Sequence, residues 1–359
     1  PSATVRFTYA EDAAPTIKVA YAKSTWNKVP MSAEADGSYL LPVGYKYEWT
    51  FDSAKYVAQS GVIDLNGVAS GSEKSIAIPM SLKPAGSGSA EDPYLIADAS
   101  QLRWFAAQVN DNGKSAICAQ LTADIDLESK EWTPIGKNYS YAYKGTFDGN
   151  NHEIKNLYVT GTASNHYGLF GVLGAGGTIR NLTVSGRVAI TGSGSNSYGV
   201  GGIVGQAARP IVAVQCLNKA AVKFAGESPK VRTAVGGIIG NAFAKGDAKW
   251  AVAVVECRNE GDVSGGYAAN TYNSARGIHV GGLCGFIAGN ETVNAVVRFS
   301  SNTGAVHSES GRIGGIMALA SFCDVQECVN EGTVDGSAAV AGGISGLFEA
   351  GDMYGCVNV

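Results

Sequence analysis

ECVNEGTVDG, Glu327–Gly336, repeats almost letter for letter an earlier stretch of the same chain, ECRNEGDVSG, Glu256–Gly265. Looser relatives lie between and around them: IKNLYVTG, IRNLTVSG, QCLNKAAV, SSNTGAV and a terminal GCVNV. Aligned on this phrase, one column runs Leu157, Leu182, Cys216, Cys257, Ser300, Cys328, Cys356. Two residues on, a second column runs Val159, Val184, Asn218, Asn259, Asn302, Asn330, Asn358. A glycine-rich phrase alternates with it: YGLFG (Tyr167–Gly171), GGIVG (Gly201–Gly205), GGIIG (Gly236–Gly240), GGLCG (Gly281–Gly285), GGIMA (Gly314–Ala318) and GGISG (Gly342–Gly346). The spacing is uneven, with 28 residues from Cys328 to Cys356 and 41 from Cys216 to Cys257. Helical solenoids keep a steadier period and carry less glycine. Fixed strands joined by loops of variable length describe a β-helix, each coil rising about 4.8 Å, the strand separation.

The columns then acquire physical roles. Leucine gives way to cysteine or serine, so that column points inward, where a free cysteine acts as a small hydrophobe. Stacked asparagines pass amide hydrogen bonds from coil to coil, as in cross-β ladders, and asparagine also tolerates the left-handed backbone of a sharp bend. Gly202, Gly237, Gly282, Gly315 and Gly343 mark bends or close backbone approach.

Bulk composition agrees. The 359 residues include 48 glycines, 45% are apolar and only 16% are charged, the profile of a turn-dense β protein. A net charge of −4 gives no general attraction to nucleic acid. No apolar run has the length of a membrane span, and none has the form of a signal peptide. The chain begins at Pro1, which points to a processed product or a portion of a longer chain. Seven cysteines leave at least one unpaired within the chain.

Residues 1–84 read differently, as short strands: Thr4–Ala10, Thr16–Ala22, Ser38–Val43, Tyr45–Phe51, Ser60–Leu65 and Ser75–Leu82. Tyr45, Tyr47, Trp49 and Phe51 alternate onto one strand face, which predicts a sandwich core. The phrase GSYLLPVGYKYEWTFDSAKYVAQSG resembles the small β-sandwich spacer modules of bacterial surface proteins. Residues 85–92, containing GSGSAED, read as a flexible linker. DASQLRWFAAQVNDNG then predicts a helix capped by Asp98, with Gln101 at the capping-box position, an apolar stripe of Leu102, Phe105, Ala106 and Val109, and a stop at Gly113. That helix would cover the first coils.

GLFG at Gly168–Gly171, with GGIVG and its kin, resembles the GLUG repeat of bacterial surface proteins and of some immunoglobulin A proteases. EDPYLIADASQLRWFAAQVN, LTADIDL, EWTPIG and GTFDGNNHEIKNL resemble the segment that precedes such repeats. The resemblance spans Glu91–Val359. It implies a right-handed parallel β-helix on a secreted or wall-attached, extracellular protein of a bacterium, and it does not imply catalysis. The expected architecture is therefore all-β: a small β-sandwich over 1–84, a linker over 85–92, and a β-helix over 93–359 with one N-terminal capping helix.

Chemical motifs are sparse. His152, His166, His279 and His307 are scattered, and neither HExxH nor paired CxxC occurs, so no metal site or cofactor is expected. The glycine clusters lack a P-loop lysine. Asp124, Asp126 and Asp148 fit either calcium binding or the satisfaction of turn amides. Glu260 and Glu331 share an outward column with Thr303 between them, about 9.6 Å apart by strand rise. They are the acid–base candidates of an alternative reading as a polysaccharide lyase or hydrolase. Tyr139, Tyr141 and Tyr143, on one side if extended, together with Trp132, form the candidate ligand-binding set, for a host protein or a glycan; the alternative is a loop folded over Trp132. The long segment GYAANTYNSARGIHV (Gly266–Val280) adds a loop of the kind that holds ligands. The terminal GCVNV leaves an open coil, which predicts continuation of the chain or docking at that end. Because the column already accepts Leu182, Cys328→Leu is expected to lower the melting temperature less than Cys328→Asp; equal losses by calorimetry would place the column in water.

Overall fold

The computed structural model describes residues 1–24, 27–162, 166–192, 198–207, 211–226, 233–243, 252–267, 277–337 and 340–359. It is built mostly of strands, with one α-helix among the described residues. The chain divides into two compact units, Pro1–Pro84 and Ala85–Val359.

In the first unit four strands form an antiparallel sheet, in the order Asn27–Met31, Thr16–Ser24, Lys46–Asp52, Gln59–Asp64. A second sheet places Ser2–Thr8 between Tyr39–Pro42, antiparallel, and Glu73–Ala77, parallel. Side chains from both sheets share one core that includes Val5, Leu41, Val19, Trp49 and Ile63. The aromatic alternation has the expected effect for three of its four members. Tyr47, Trp49 and Phe51 are buried, whereas Tyr45 precedes the strand and stays exposed. Trp49 pairs across the sheet with Gly61, where a Cβ would lie 2.7 Å from the indole, so the glycine makes room for the ring. Asn27–Met31 is a strand that sequence reasoning missed. It contains Pro30, which lacks a donor, and it lies at a sheet edge, where proline is tolerated.

The second unit stacks its repeats in parallel. One representative turn runs through Val212–Val214, Leu217–Asn218, Ala221–Gly226, Thr233–Gly236 and Ile239–Phe243. Each strand pairs in parallel with its counterpart in the next repeat, the first with Ala253–Val255 and the last with Cys284–Ala288. Four parallel sheets result, of nine, twelve, five and six strands. Apolar side chains from all four enter one continuous core.

The asparagine column is in register: Asn218 pairs with Asn259, Asn259 with Asn302, Asn302 with Asn330, and Asn330 with Asn358. Each Nδ2 donates to the Oδ1 of the next asparagine, at 2.8, 2.7, 2.8 and 2.7 Å in turn. The same Nδ2 donates to the carbonyl two residues on, that of Ala220, Gly261, Gly304 or Gly332. Both amide hydrogens are thereby used. The second glycine of each GG phrase lies against this ladder. A Cβ at Gly202, Gly237, Gly282, Gly315 or Gly343 would stand 2.1 to 2.4 Å from a ladder amide. Close approach, not a left-handed bend, is what these glycines supply, since none of the five has a positive φ.

Two expectations need correction. The left-handed residue is not the ladder asparagine but the residue just before the inward column: Asn181, Gln215, Glu256, Phe299 and Glu327, with φ of 49–52°, and Gly355 at 65°. The ladder asparagines are extended because their amides must face one another along the stack. The first row of the columns is also displaced. Ile154, not Val159, pairs with Val184, and after a register shift Val159 pairs with Val188. The strand Glu153–Thr162 enters its sheet earlier than phrase matching implies, because backbone pairing and not letter similarity sets the register.

Before the repeats, the helix Ala99–Asn110 is capped by Asp98, which accepts from the Gln101 N–H at 2.8 Å. Leu102, Phe105, Ala106 and Val109 are buried, and Phe105 meets Tyr143 and Phe147 edge-on. The 85–92 stretch belongs to this unit and is tied down by hydrogen bonds from the backbone N–H groups of Ser87 and Gly88 to the Asp92 carbonyl. The long loop read at Gly266–Val280 falls largely on 268–276, outside the described residues.

Removing one ladder amide leaves an unpaired buried donor above and an unpaired acceptor below. Asn302→Ala is expected to cost about 1–3 kcal/mol, and so is Asn330→Ala. Asn358→Ala, at the exposed last rung, should cost less. Urea titrations of the three variants give the comparison, and equal losses would show that the ladder carries no cooperative load.

Candidate functional site

The four aromatic residues singled out from sequence do not form one surface. Trp132 is buried and its Nε1 donates to the Leu169 carbonyl at 3.0 Å. Tyr143 is buried, stacks on Phe170 and donates its hydroxyl to the Ile117 carbonyl. Tyr139 is 57% exposed, its ring edge-on to His166 at 5.3 Å. Tyr141 is half-buried beneath the Lys137 ammonium, 4.8 Å from its ring centre. The reason is local: Tyr139–Tyr141 is a 3-10 turn, capped by Asn138, which accepts from the Ser140 N–H. A turn rotates successive side chains apart, so the alternation assumed for an extended strand does not apply.

The three aspartates hold turns and cross-repeat contacts. Asp124 accepts from Lys155 Nζ at 2.8 Å and from the Glu153 N–H at 3.1 Å, with His152 Nδ1 at 3.3 Å. The lysine first, and then the amide, hold its carboxyl down at about 2. Asp126 accepts from the Glu128 N–H and Asn156 Nδ2. Asp148 accepts from Arg180 Nε at 2.9 Å and from Asn181 Nδ2 at 3.0 Å. Among the described residues, no three His, Cys, Asp or Glu side chains converge as a metal site would require.

Glu260, Thr303 and Glu331 do share a column. Their N–H groups donate at 2.8 Å to the carbonyls of Asn218, Asn259 and Asn302 respectively, one repeat apart. Glu260 is paired with Arg258 at 3.1 Å. The seven cysteines are free thiols. Burial pushes Cys328 up to about 12, and a hydrogen bond with Cys257 together with burial raises Cys216, so both are inert neutral packing groups.

Clefts open at the start of this unit. A cleft of about 380 Å³ opens between the helix and residues 132–137, lined by Arg103, Asn110, Asp111, Trp132, Thr133 and Lys137. Of these, only Trp132 was singled out from sequence. Arg103 and Lys137 look like solvated surface charges in one dimension, and nothing in their spacing signals that a helix and a loop bring them together.

No family model matches the chain. A Bacteroides ovatus crystal structure described as a "putative immunoglobulin A1 protease" superposes with a TM-score of 0.57 at 23% identity, over 76% of each chain, a likeness of fold. A "Putative Gly-rich membrane protein" of Evansella cellulosilytica is 34% identical over 103 residues, and "Halomucin" of Haloquadratum walsbyi is 36% identical over 110 residues. Each match takes in 28% of this chain, and only 12% and 1% of those relatives' own lengths.

Beside the tyrosine turn, His166 accepts the Gly199 N–H at Nδ1, 2.9 Å away, and burial lowers its pKa from 6.5 to about 4. A protonated Nδ1 would lose that bond and face another donor. The folded state therefore binds its proton later than the unfolded chain does as pH falls. Stability is complete above pH 6.5, declines between 6.5 and about 4, and is level below. The loss is on the order of 3 kcal/mol. Urea unfolding at pH 7 and pH 4 should show it, and His166→Gln should flatten this part of the profile; an unchanged slope in the variant would assign the effect to other groups.

Proposed function

We propose that this chain is a non-enzymatic module of a bacterial cell-surface or secreted protein, an adhesin-like element or display stalk that presents its loops to a host protein or glycan. Its second unit is read as a right-handed parallel β-helix of the GLUG type, and its first as a β-sandwich spacer. The observation that carries this reading is the asparagine ladder with its glycine column. Recurrent polar groups of the repeats are committed to holding one turn on the next, as expected of a scaffold. The local likeness to segments of a "membrane protein" and of "Halomucin" supports placement at a surface. The protease designation of the Bacteroides ovatus protein brings no activity with it, because 23% identity speaks for the fold alone.

The carbohydrate-active alternative rests on the Glu260–Thr303–Glu331 column, and the Arg258–Glu260 pair argues against a free acid or base there. A glycan array and a panel of host matrix proteins, run beside a reducing-sugar assay on polyuronides, separates the readings. Binding without turnover is expected. Turnover abolished by Glu260→Gln would replace the surface-module reading with the enzymatic one.

A further inference from the structure

We propose that the first unit holds a docking pocket for a proline-rich polypeptide segment, formed by Tyr21, Val29, Met31, Pro42 and Tyr45 over a floor of Tyr47. The inference goes beyond the spacer reading of this unit. It does not rest on the surface-module reading, which is carried by the asparagine ladder of the second unit.

The pocket arises because the two sheets of this unit differ in width. Two core-facing rows cross the four-stranded sheet, one of Val29, Tyr21, Tyr47 and Ile63, the other of Met31, Val19, Trp49 and Gly61. Tyr47, Ile63, Val19 and Trp49 are buried. At the edge strand Asn27–Met31 the three-stranded sheet gives no such cover. Val29 is 45% exposed although it faces the core side, and Met31 and Tyr21 are only half-buried. Pro42 and Tyr45, both exposed, complete the lining. The Tyr21 ring meets Tyr45 edge-on at 5.3 Å and Tyr47 at a tilt at 5.9 Å. Inclined aromatic rings and aliphatic side chains thus surround a space of about 280 Å³ that continues the core yet opens to water. That volume is at the lower edge of small-ligand sites, a size for one or two ring side chains of a docked chain.

The lining selects among ligands. It carries no charge, and the charged residues beside it in the strands are paired with one another, Lys28 with Glu48, and Lys46 with Asp64 at 3.0 Å. A charged ligand finds no counter-ion here. No amide or carboxylate side chain lines the pocket either, so the several hydroxyls of a sugar would go largely unmatched. The Pro42 carbonyl already accepts the Tyr47 hydroxyl at 2.8 Å. The Tyr21 and Tyr45 hydroxyls have no hydrogen-bond partner among the described residues and are free to donate. Addition of an extended strand is interrupted at the edge by Pro30, which has no N–H to give. A proline-rich segment answers each of these conditions. Its pyrrolidine rings pack on aromatic faces, it brings no proline N–H that an apolar pocket would leave unpaired, and its solvated carbonyls accept from tyrosine hydroxyls. Its extended helix is formed in advance, so little entropy is lost on docking.

The test titrates acetyl-hexaproline amide, an acetylated glycine–serine hexapeptide amide, choline and methyl glucoside into the full chain, followed by NMR of the Val29 and Met31 methyl groups. Hexaproline is expected to shift both signals at millimolar concentration, and each of the other three to bind weaker by about tenfold or more. Tyr45→Ala, at an exposed position where folding is not at stake, should weaken hexaproline by about tenfold. Tyr45→Phe keeps the ring and removes the hydroxyl, and should give a smaller loss. No shift with hexaproline, an equal response to the glycine–serine peptide, or unchanged binding in Tyr45→Ala would overturn the proposal. Tighter binding of choline would make the pocket a cation cage instead, and tighter binding of the glucoside a sugar site; either result replaces the proline-rich ligand.

Discussion

A buried asparagine amide has two donors and an acceptor, and none can be left unpaired without cost. In this chain the requirement is met by stacking. The Nδ2 of Asn218 reaches the Oδ1 of Asn259, and the pattern repeats to Asn358. The geometry works only if each turn sits about one strand separation from the last and in exact register. A slip of one residue would break the ladder and turn the neighbouring Cys216, Cys257 and Cys328 column out of the core. Register is thus specified twice, by polar pairing and by burial.

The ladder constrains what stands opposite it. A side chain at Gly202, Gly237, Gly282, Gly315 or Gly343 would collide with the amides, so glycine recurs there for want of space. At the other end of the phrase the backbone turns through a left-handed residue just before the inward column. That position takes asparagine, glutamine, glutamate, phenylalanine or glycine, since the cost of the conformation is modest and the position lies outside the core. Between ladder and corner the sheets are rigidly indexed, while the connecting segments differ in length from repeat to repeat. This division of labour underlies the reading of the molecule as a scaffold.

Much of the stacking was legible from letters alone. The Cys and Asn columns, the glycine phrase and the helix with its Asp98 cap all recur or signal locally, and local signals survive folding. The candidate site was not. Tyr139, Tyr141 and Tyr143 alternate in sequence, but a 3-10 turn disperses them, and Trp132 and Tyr143 are drawn into the core by burial of their large apolar surfaces. Arg103 and Lys137, more than thirty residues apart by number, meet at one cleft only because the helix caps the first strands beside the 132–137 segment.

The sequence by itself determined that this is a repeat protein of stacked parallel strands, and which residues stand above which from Leu182 onward, because a repeated phrase must satisfy the same neighbours each time it recurs. Tertiary structure alone decided the register of Glu153–Thr162, the place of the left-handed corner, and the meeting of Arg103 and Lys137 at one cleft. Those depend on backbone pairing and on contacts between distant segments, and no periodicity in the chain encodes them.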